Sequence, residues 1–259
     1  MNNQDSERLN AIFNYAQEFL IAMCPRNISL EKYLENKKNI GSLDEIYKRM
    51  IVTLVNRNML PGVIQFDKRQ EKFKELLLDY DANLISSTYD EKSLYEIFKQ
   101  NFEINNSDSP KNLWWQFSKF IISASKFLCN FKTAKEFDNF VKTFSENKFT
   151  RAALPMLLNK EVHGLRFALA CDFLKEIGYI DYPKPDVHLM DIFSSLDICN
   201  RDEYEVFKAI IRMAKACNKS AYYIDKTIWL ICSGNFYIDK IKISGRKKEF
   251  IESCKKNIK

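Results

Sequence analysis

Apolar residues recur at helical spacing along almost the whole chain, and little interrupts the pattern. Stripes of this spacing run through residues 9–23, 43–54, 113–128, 134–144, 167–177, 207–214 and 224–231, and Thr133 is placed to cap the helix that begins at Ala134. No stretch favours the strict alternation of a half-buried β-strand. The chain has 6 glycines and 6 prolines in 259 residues, too few for the many tight turns of a β-sandwich or barrel. The sequence therefore predicts an all-α fold, with about ten to twelve helices.

Composition narrows the class further. Hydrophobic residues make up 46% of the chain, which is enough for a large packed core. The 7 cysteines are scattered without any Cys-x-x-Cys pair, so we expect reduced thiols, no metal site and no cofactor. No signal peptide or long apolar run is visible. We therefore expect a cytoplasmic protein that is a monomer and has no membrane partner.

The charge balance permits a polyanionic partner. There are 40 basic and 34 acidic residues, a net charge of +6. Such an excess is compatible with nucleic-acid binding without requiring it. We divide the chain into an N-terminal helical region, residues 1–108, and a region 109–259 that carries the motifs described next.

A short connection that contains a glycine joins two of the predicted helices. The segment "NKEVHGL", residues 159–165, lies between a helix that ends near Leu158 and one that begins near Arg166. Such a helical hairpin exposes backbone N–H groups that can bind a phosphate, and a glycine allows close approach. Lys160, His163, Gly164 and Arg166 are therefore candidate phosphate contacts.

The most unusual segment lies further along the chain and reads "GYIDYPKPDVHL", residues 178–189. Gly178 is placed to end the preceding helix. Pro183 and Pro185 stiffen the approach to Asp186, which stands immediately before the next predicted helix. Asp186 is either only the N-cap of that helix or a carboxylate held in place for chemistry.

The order of hairpin, Gly/Pro loop and aspartate, with "PDVHL" at residues 185–189, resembles the helix-hairpin-helix DNA glycosylase superfamily. The resemblance covers roughly residues 113–235. It implies two helical lobes flanking a cleft for double-stranded DNA, with the first helices packing near the C-terminal ones. It also implies that Asp186 is catalytic and that the hairpin residues and Lys184 contact the DNA. His188 either bonds to the DNA backbone or has a structural role in the loop.

Three departures from the family pattern refine the expected activity. The hairpin has one glycine, Gly164, where the family usually has two. Arg166 stands where bifunctional members have a Schiff-base lysine, and arginine cannot act as an amine nucleophile at neutral pH. Cys199, Cys217, Cys232 and Cys254 are too widely spaced for the iron–sulfur cluster of some relatives. We therefore expect a monofunctional base-excision glycosylase without a cluster.

A glycosylase must flip its target base into a pocket, where aromatic rings can stack on it. Trp115 and Tyr222 are the candidate pocket residues. Asp225 and Lys226 stand just before the predicted helix that contains "TIWLIC", where they either cap it or contact a phosphate. Capping by Asp225 is the default prediction, and Lys226 stays open as an unconventional amine. Oxidised, alkylated, deaminated and mismatched bases remain open as substrates, as does an unusual undamaged base in a defence system.

Two other classes of function remain open. One is a non-catalytic helix-hairpin-helix protein that binds DNA through shape and charge alone. The other is a helical protein-interaction module in which "PKPD" at residues 183–186 is only a stiff connector. DNA binding that weakens steeply with salt favours the first over the second.

Overall fold

The computed structural model describes residues 3–36, 41–56, 60–104 and 109–258, which are mostly helical. In chain order the α-helices are α1 Asn3–Met23, α2 Glu31–Leu34, α3 Leu43–Val55, α4 Leu60–Ile64, α5 Gln70–Leu76, α6 Ala82–Thr88, α7 Glu91–Phe102, α8 Leu113–Leu128, α9 Ala134–Ser145, α10 Ala153–Glu161, α11 Phe167–Glu176, α12 Val187–Ser195, α13 Glu203–Ala216, α14 Ala221–Ser233 and α15 Lys247–Asn257. Strands β1 Asn235–Phe236 and β2 Ile241–Lys242 form one short antiparallel pair. The all-α prediction is confirmed. The fifteen helices in these ranges exceed the predicted number because several are shorter than two turns.

The chain forms two compact units. The terminal unit comprises Met1–Lys38 and Leu174–Lys259, and the central unit comprises Asn39–Phe173. The boundary predicted after residue 108 adjoins residues 105–108, which lie outside the described ranges. Within those ranges, no helix is both long enough and apolar enough to cross a membrane.

The terminal unit is built around α14. This helix packs against α1, α2, α12, α13 and α15. Its buried side chains occupy all of its faces rather than one stripe, as expected of a helix surrounded by others. The first helix of the chain thus shares a core with the last ones, and that core includes Phe13, Ile210, Ile224, Ile231 and Phe250.

The central unit has an aromatic core where α5, α7 and α8 meet. The ring of Phe73 is fully buried, and its centroid lies 4.9 Å from the ring centroids of Phe66 and Phe102. The Phe117 ring packs edge-on at 5.9 Å. Trp114 continues the cluster, with its ring 4.9 Å from that of Phe102. This core explains the aromatic stripe at the start of α8.

Helix α9 begins at the cap that the sequence predicts. Thr133 is in an extended conformation and its hydroxyl accepts a hydrogen bond from the N–H of Glu136 at 3.2 Å. The Glu136 carboxylate in turn accepts from the Lys132 N–H at 2.7 Å. These bonds satisfy N–H groups that have no partner inside a helix.

Thr133→Ala is therefore expected to lower the free energy of unfolding by about 1 kcal/mol, because the cap acceptor is lost. Urea denaturation followed by circular dichroism measures the change. Thr143→Ala is the matched control, since Thr143 lies inside the same helix and its hydroxyl only donates back to the Phe140 carbonyl. Equal losses of unfolding free energy in the two variants would show that the Thr133 cap stabilises the protein no more than a threonine inside the helix.

Candidate active site around Asp186

A glycine ends α11 and starts the loop that leads to Asp186. Gly178 has φ of 113°, a value that side-chain-bearing residues rarely adopt. Its N–H donates to the Lys175 carbonyl at 3.1 Å, and the Tyr179 N–H donates to the Leu174 carbonyl at 3.0 Å. These bonds satisfy the last carbonyls of α11, so the chain leaves the helix in a defined direction.

The two prolines of the loop are buried, and a tight turn surrounds the second of them. The Asp186 N–H donates to the Lys184 carbonyl at 2.9 Å across Pro185. Pro183 and Pro185 both lie in the interior, which restricts the path of the backbone here. The loop therefore delivers Asp186 at a fixed place.

Asp186 is the N-cap of α12, one of the two roles that the sequence left open. Its Oδ1 accepts hydrogen bonds from the His188 N–H at 2.9 Å and the Leu189 N–H at 3.1 Å. In the part of the chain that the structure describes, no donor bonds to Oδ2. The side chain is half-buried. Capping thus holds the carboxylate in position while one of its oxygens stays uncommitted.

The surroundings of Asp186 disfavour its charged form. Burial is the largest cause that raises the pKa of this carboxyl above its ordinary value, and the negative charge of Asp225 is the second. The Leu189 N–H, Lys184 and His188 act in the opposite direction. A half-buried carboxylate with a raised pKa is typical of functional sites, although buried structural networks also produce such shifts.

His188 lies in the first turn of α12, two residues after Asp186. Its Nδ1 is buried and, among the described residues, finds no hydrogen-bond partner. The backbone N–H of the same residue bonds to Asp186. An unpaired buried nitrogen costs stability, so a substrate or water that bonds to it would recover that cost.

Asp225 does not cap a helix, and this prediction is wrong. Helix α14 begins earlier, where the Ser220 hydroxyl accepts from the Tyr223 N–H at 3.1 Å. Asp225 lies in the second turn and is only 1% exposed. Its Oδ2 accepts from Lys175 Nζ at 2.8 Å and from the Lys184 N–H at 2.7 Å. A buried ion pair thus holds the loop that carries Asp186.

Lys226 and the predicted pocket residue Tyr222 lie in one aromatic cluster of the terminal unit. The Lys226 ammonium is 5.6 Å from the Tyr222 ring centroid, 5.5 Å from that of Trp229 and 5.2 Å from that of Tyr237. It also lies 3.4 Å from Glu176 Oε1. Tyr222 is 6% exposed. The rings stabilise the cation, and burial raises the pKa of the Tyr222 hydroxyl.

The predicted short connection with a glycine is present in the central unit at residues 162–166, between α10 and α11. Gly164 has φ of 80°, which requires glycine here. The His163 N–H donates to Ser123 Oγ at 2.9 Å, and His163 Nε2 lies 2.6 Å from Gln116 Oε1. Val162 and Leu165 are buried between exposed neighbours. The connection is therefore anchored on α8.

The side chains of the central unit that are predicted to contact DNA are accessible to solvent. Lys160, His163 and Arg166 are exposed, as phosphate-binding side chains must be. Trp115 is half-buried, with its ring centroid 5.3 Å from that of Tyr95. These two rings and Pro110 help to line a surface groove of about 260 Å³. The rings of Trp115 and Tyr222 thus belong to different units.

The predicted site residues therefore fall into two groups. Lys184, Asp186, His188 and Tyr222 belong to the terminal unit, and the hairpin residues with Trp115 belong to the central unit. The ion pair between Lys175 and Asp225 was not predicted from the sequence. Fifty residues separate the two side chains, and no local motif marks the pair.

Comparison with family models, with curated proteins and with solved structures yields no match. Among the described residues, no group of three or more His, Cys, Asp or Glu side chains is arranged to hold a metal ion. The function must therefore be inferred from the geometry around Asp186.

Proposed function

We propose that the protein is a monofunctional DNA N-glycosylase of the helix-hairpin-helix kind, with Asp186 as its catalytic carboxylate. One observation carries the proposal: Asp186 is fixed by its capping bonds and a stiff loop, while Oδ2 has no donor among the described residues. A glycosylase-like arrangement with a DNA-binding cleft is part of the same proposal.

The proposed reaction is hydrolysis of the bond between C1′ of the deoxyribose and a nitrogen of the base. As the bond breaks, its electron pair leaves with the base and positive charge develops on the sugar. A carboxylate held beside the sugar stabilises that charge. A water then adds to C1′, and the proton that it loses is taken up by the departing base, leaving an abasic site and a neutral free base. Asp186 also accepts a hydrogen bond from that water.

The hairpin supplies the DNA-binding part of the proposal. Gly164 allows a phosphate to approach the backbone, and exposed Lys160 and Arg166 add positive charge beside it. His163, Lys184 and His188 are the further proposed contacts. Tyr222, in the same unit as Asp186, is proposed to stack on the flipped base, and Trp115, in the central unit, is a separate candidate for base stacking.

A second candidate is a DNA-binding protein of the same kind without catalysis. The observation that favours it is that N-capping by itself accounts for an aspartate at this position. A module that binds only protein is the third possibility.

Base release tests the proposal. Purified protein is incubated with labelled duplexes that carry oxidised, alkylated, deaminated, mismatched or otherwise modified bases, and alkali-labile sites are scored. We expect release from at least one duplex, and no covalent adduct after borohydride treatment, since Arg166 replaces the family's amine. Salt-sensitive DNA binding without release from any duplex would favour the non-catalytic candidate. No DNA binding at all would favour the protein-interaction module.

A further inference from the structure

One buried charged pair of the terminal unit has no part in the reaction proposed above. The Lys175 and Asp225 side chains are 3% and 2% exposed, and Nζ lies 2.8 Å from Oδ2. Removing two charges from water costs several kcal/mol, and well-packed apolar residues often match or exceed the stability of such a pair. A contribution to folding stability is therefore a poor explanation for the presence of this buried pair.

The geometry of Asp225 connects it to the candidate catalytic carboxylate. Asp225 Oδ2 also accepts from the Lys184 N–H at 2.7 Å. The carbonyl of the same residue, Lys184, accepts from the Asp186 N–H at 2.9 Å. The peptide units on both sides of Lys184 are thus held by hydrogen bonds. Pro185 also restricts the backbone torsions of Lys184, which lie between these two units. A continuous series of bonds runs from Asp225 to the backbone of Asp186.

We propose that Asp225, held by Lys175, is a positioning residue that fixes the Asp186 carboxylate for base release. The inference rests on the proposed glycosylase function and assigns that site a second acidic residue. Lys175 keeps Asp225 oriented, and Asp225 acts through the Lys184 N–H rather than by touching the substrate. A bond to a charged acceptor is stronger than one to a neutral acceptor, so it holds the loop more firmly.

Asp225 also acts on Asp186 through its charge. The charged and titratable groups that face Asp186 are Asp225 and Cys232 from α14, and Lys184 and His188 from its own segment. Lys247 of α15 bonds to Asp191 of α12 and adds a positive charge near Cys232. The charge of Asp225 raises the pKa of Asp186, so a neutral residue at 225 lowers it. The acid limb of the pH–rate profile then moves to lower pH.

The test compares Asp225→Asn with the wild type under excess enzyme. We expect the single-turnover rate of base release to fall about tenfold to a hundredfold, because the carboxylate loses its fixed position. The Kd for DNA is expected to stay unchanged, and the acid limb of the pH–rate profile is expected to shift to lower pH. Asp225→Glu is expected to recover the pH profile, since it restores the charge. Asp191→Asn, which removes a partly exposed carboxylate paired with Arg201 and Lys247, is the control and keeps the rate and the pH profile.

Two measurements keep the inference separate from the proposed function. Carbon-13 titration of the aspartate carboxyls reports the pKa of Asp186, with the signal assigned through Asp186→Asn. Amide hydrogen exchange reports how strongly the hydrogen bond to Asp225 protects the Lys184 N–H. If the wild type releases no base, a lower pKa and faster Lys184 exchange in Asp225→Asn still support positioning. If Asp225→Asn unfolds, the double variant Lys175→Met/Asp225→Asn, which removes both charges, is measured instead. Unchanged rate, pKa and exchange in a folded variant would overturn the inference.

Discussion

Asp186→Asn is expected to reduce the single-turnover rate of base release by at least about a hundredfold, while the Kd for DNA changes less than about twofold. The amide has nearly the same shape as the carboxylate but lacks the charge that stabilises the sugar in the transition state. Release is measured with excess enzyme on a labelled duplex, and binding by fluorescence anisotropy at the same salt concentration.

The structure offers a close control for the capping role of this residue. Asp202 caps α13 with bonds from the Tyr204 and Glu205 N–H groups at 3.0 Å each, nearly the geometry of Asp186. Asparagine caps helices about as well as aspartate. Asp202→Asn is therefore expected to keep the full rate. A full rate in Asp186→Asn as well would refute a catalytic role for Asp186.

Stability gives a second way to separate chemistry from capping. The folded-state pKa of Asp186 is raised, so the folded protein binds this proton more tightly than the unfolded chain does. Ionising the carboxyl therefore lowers stability as pH rises above its ordinary value of 3.8. Asn at 186 avoids that cost and keeps the cap. The thermal midpoint of Asp186→Asn at pH 7 is thus expected to equal or exceed that of the wild type.

Lys175→Met is expected to lower the free energy of unfolding by about 3–5 kcal/mol. The substitution leaves the Asp225 carboxylate buried without its cationic partner. Urea denaturation at pH 7 measures the loss. Replacing Asp225 by Asn in the same chain removes the unpaired charge and is expected to restore most of the stability, so the two substitutions are strongly non-additive.

Lys208→Met is the control for this prediction. Lys208 pairs with Glu205 at 2.8 Å, but both side chains are more than 40% exposed. Exposed pairs contribute at most about 1 kcal/mol, so this variant is expected to remain close to the wild type. Equal effects of Lys175→Met and Lys208→Met would show that the buried pair has no special energetic role.

Local signals predicted a good part of the structure. Helical spacing predicted the all-α class, because it extends over whole helices such as α8 and α13. Thr133 was predicted as a cap from the residues beside it, and Gly178 as a helix end. The position of Asp186 before α12 followed from Pro183 and Pro185. Each of these features is decided within a few residues.

Features set by distant residues were not predicted. Asp225 looked like a cap because an apolar run follows it, but α14 begins at Ser220 and Asp225 pairs with Lys175 instead. Helix α2 is only four residues long, and β1 and β2 only two each. No periodicity is detectable over such lengths, so tertiary packing decides their conformation.

Mass spectrometry of the free base tests the central claim most directly. Wild type, Asp186→Asn and Asp202→Asn are incubated separately with the same set of duplexes, and the small-molecule fraction is analysed. We expect one released base with the wild type and with Asp202→Asn, and at most a trace with Asp186→Asn. Equal release by Asp186→Asn would contradict a catalytic role for Asp186. No base released from any duplex that the wild type binds would contradict the proposed glycosylase activity.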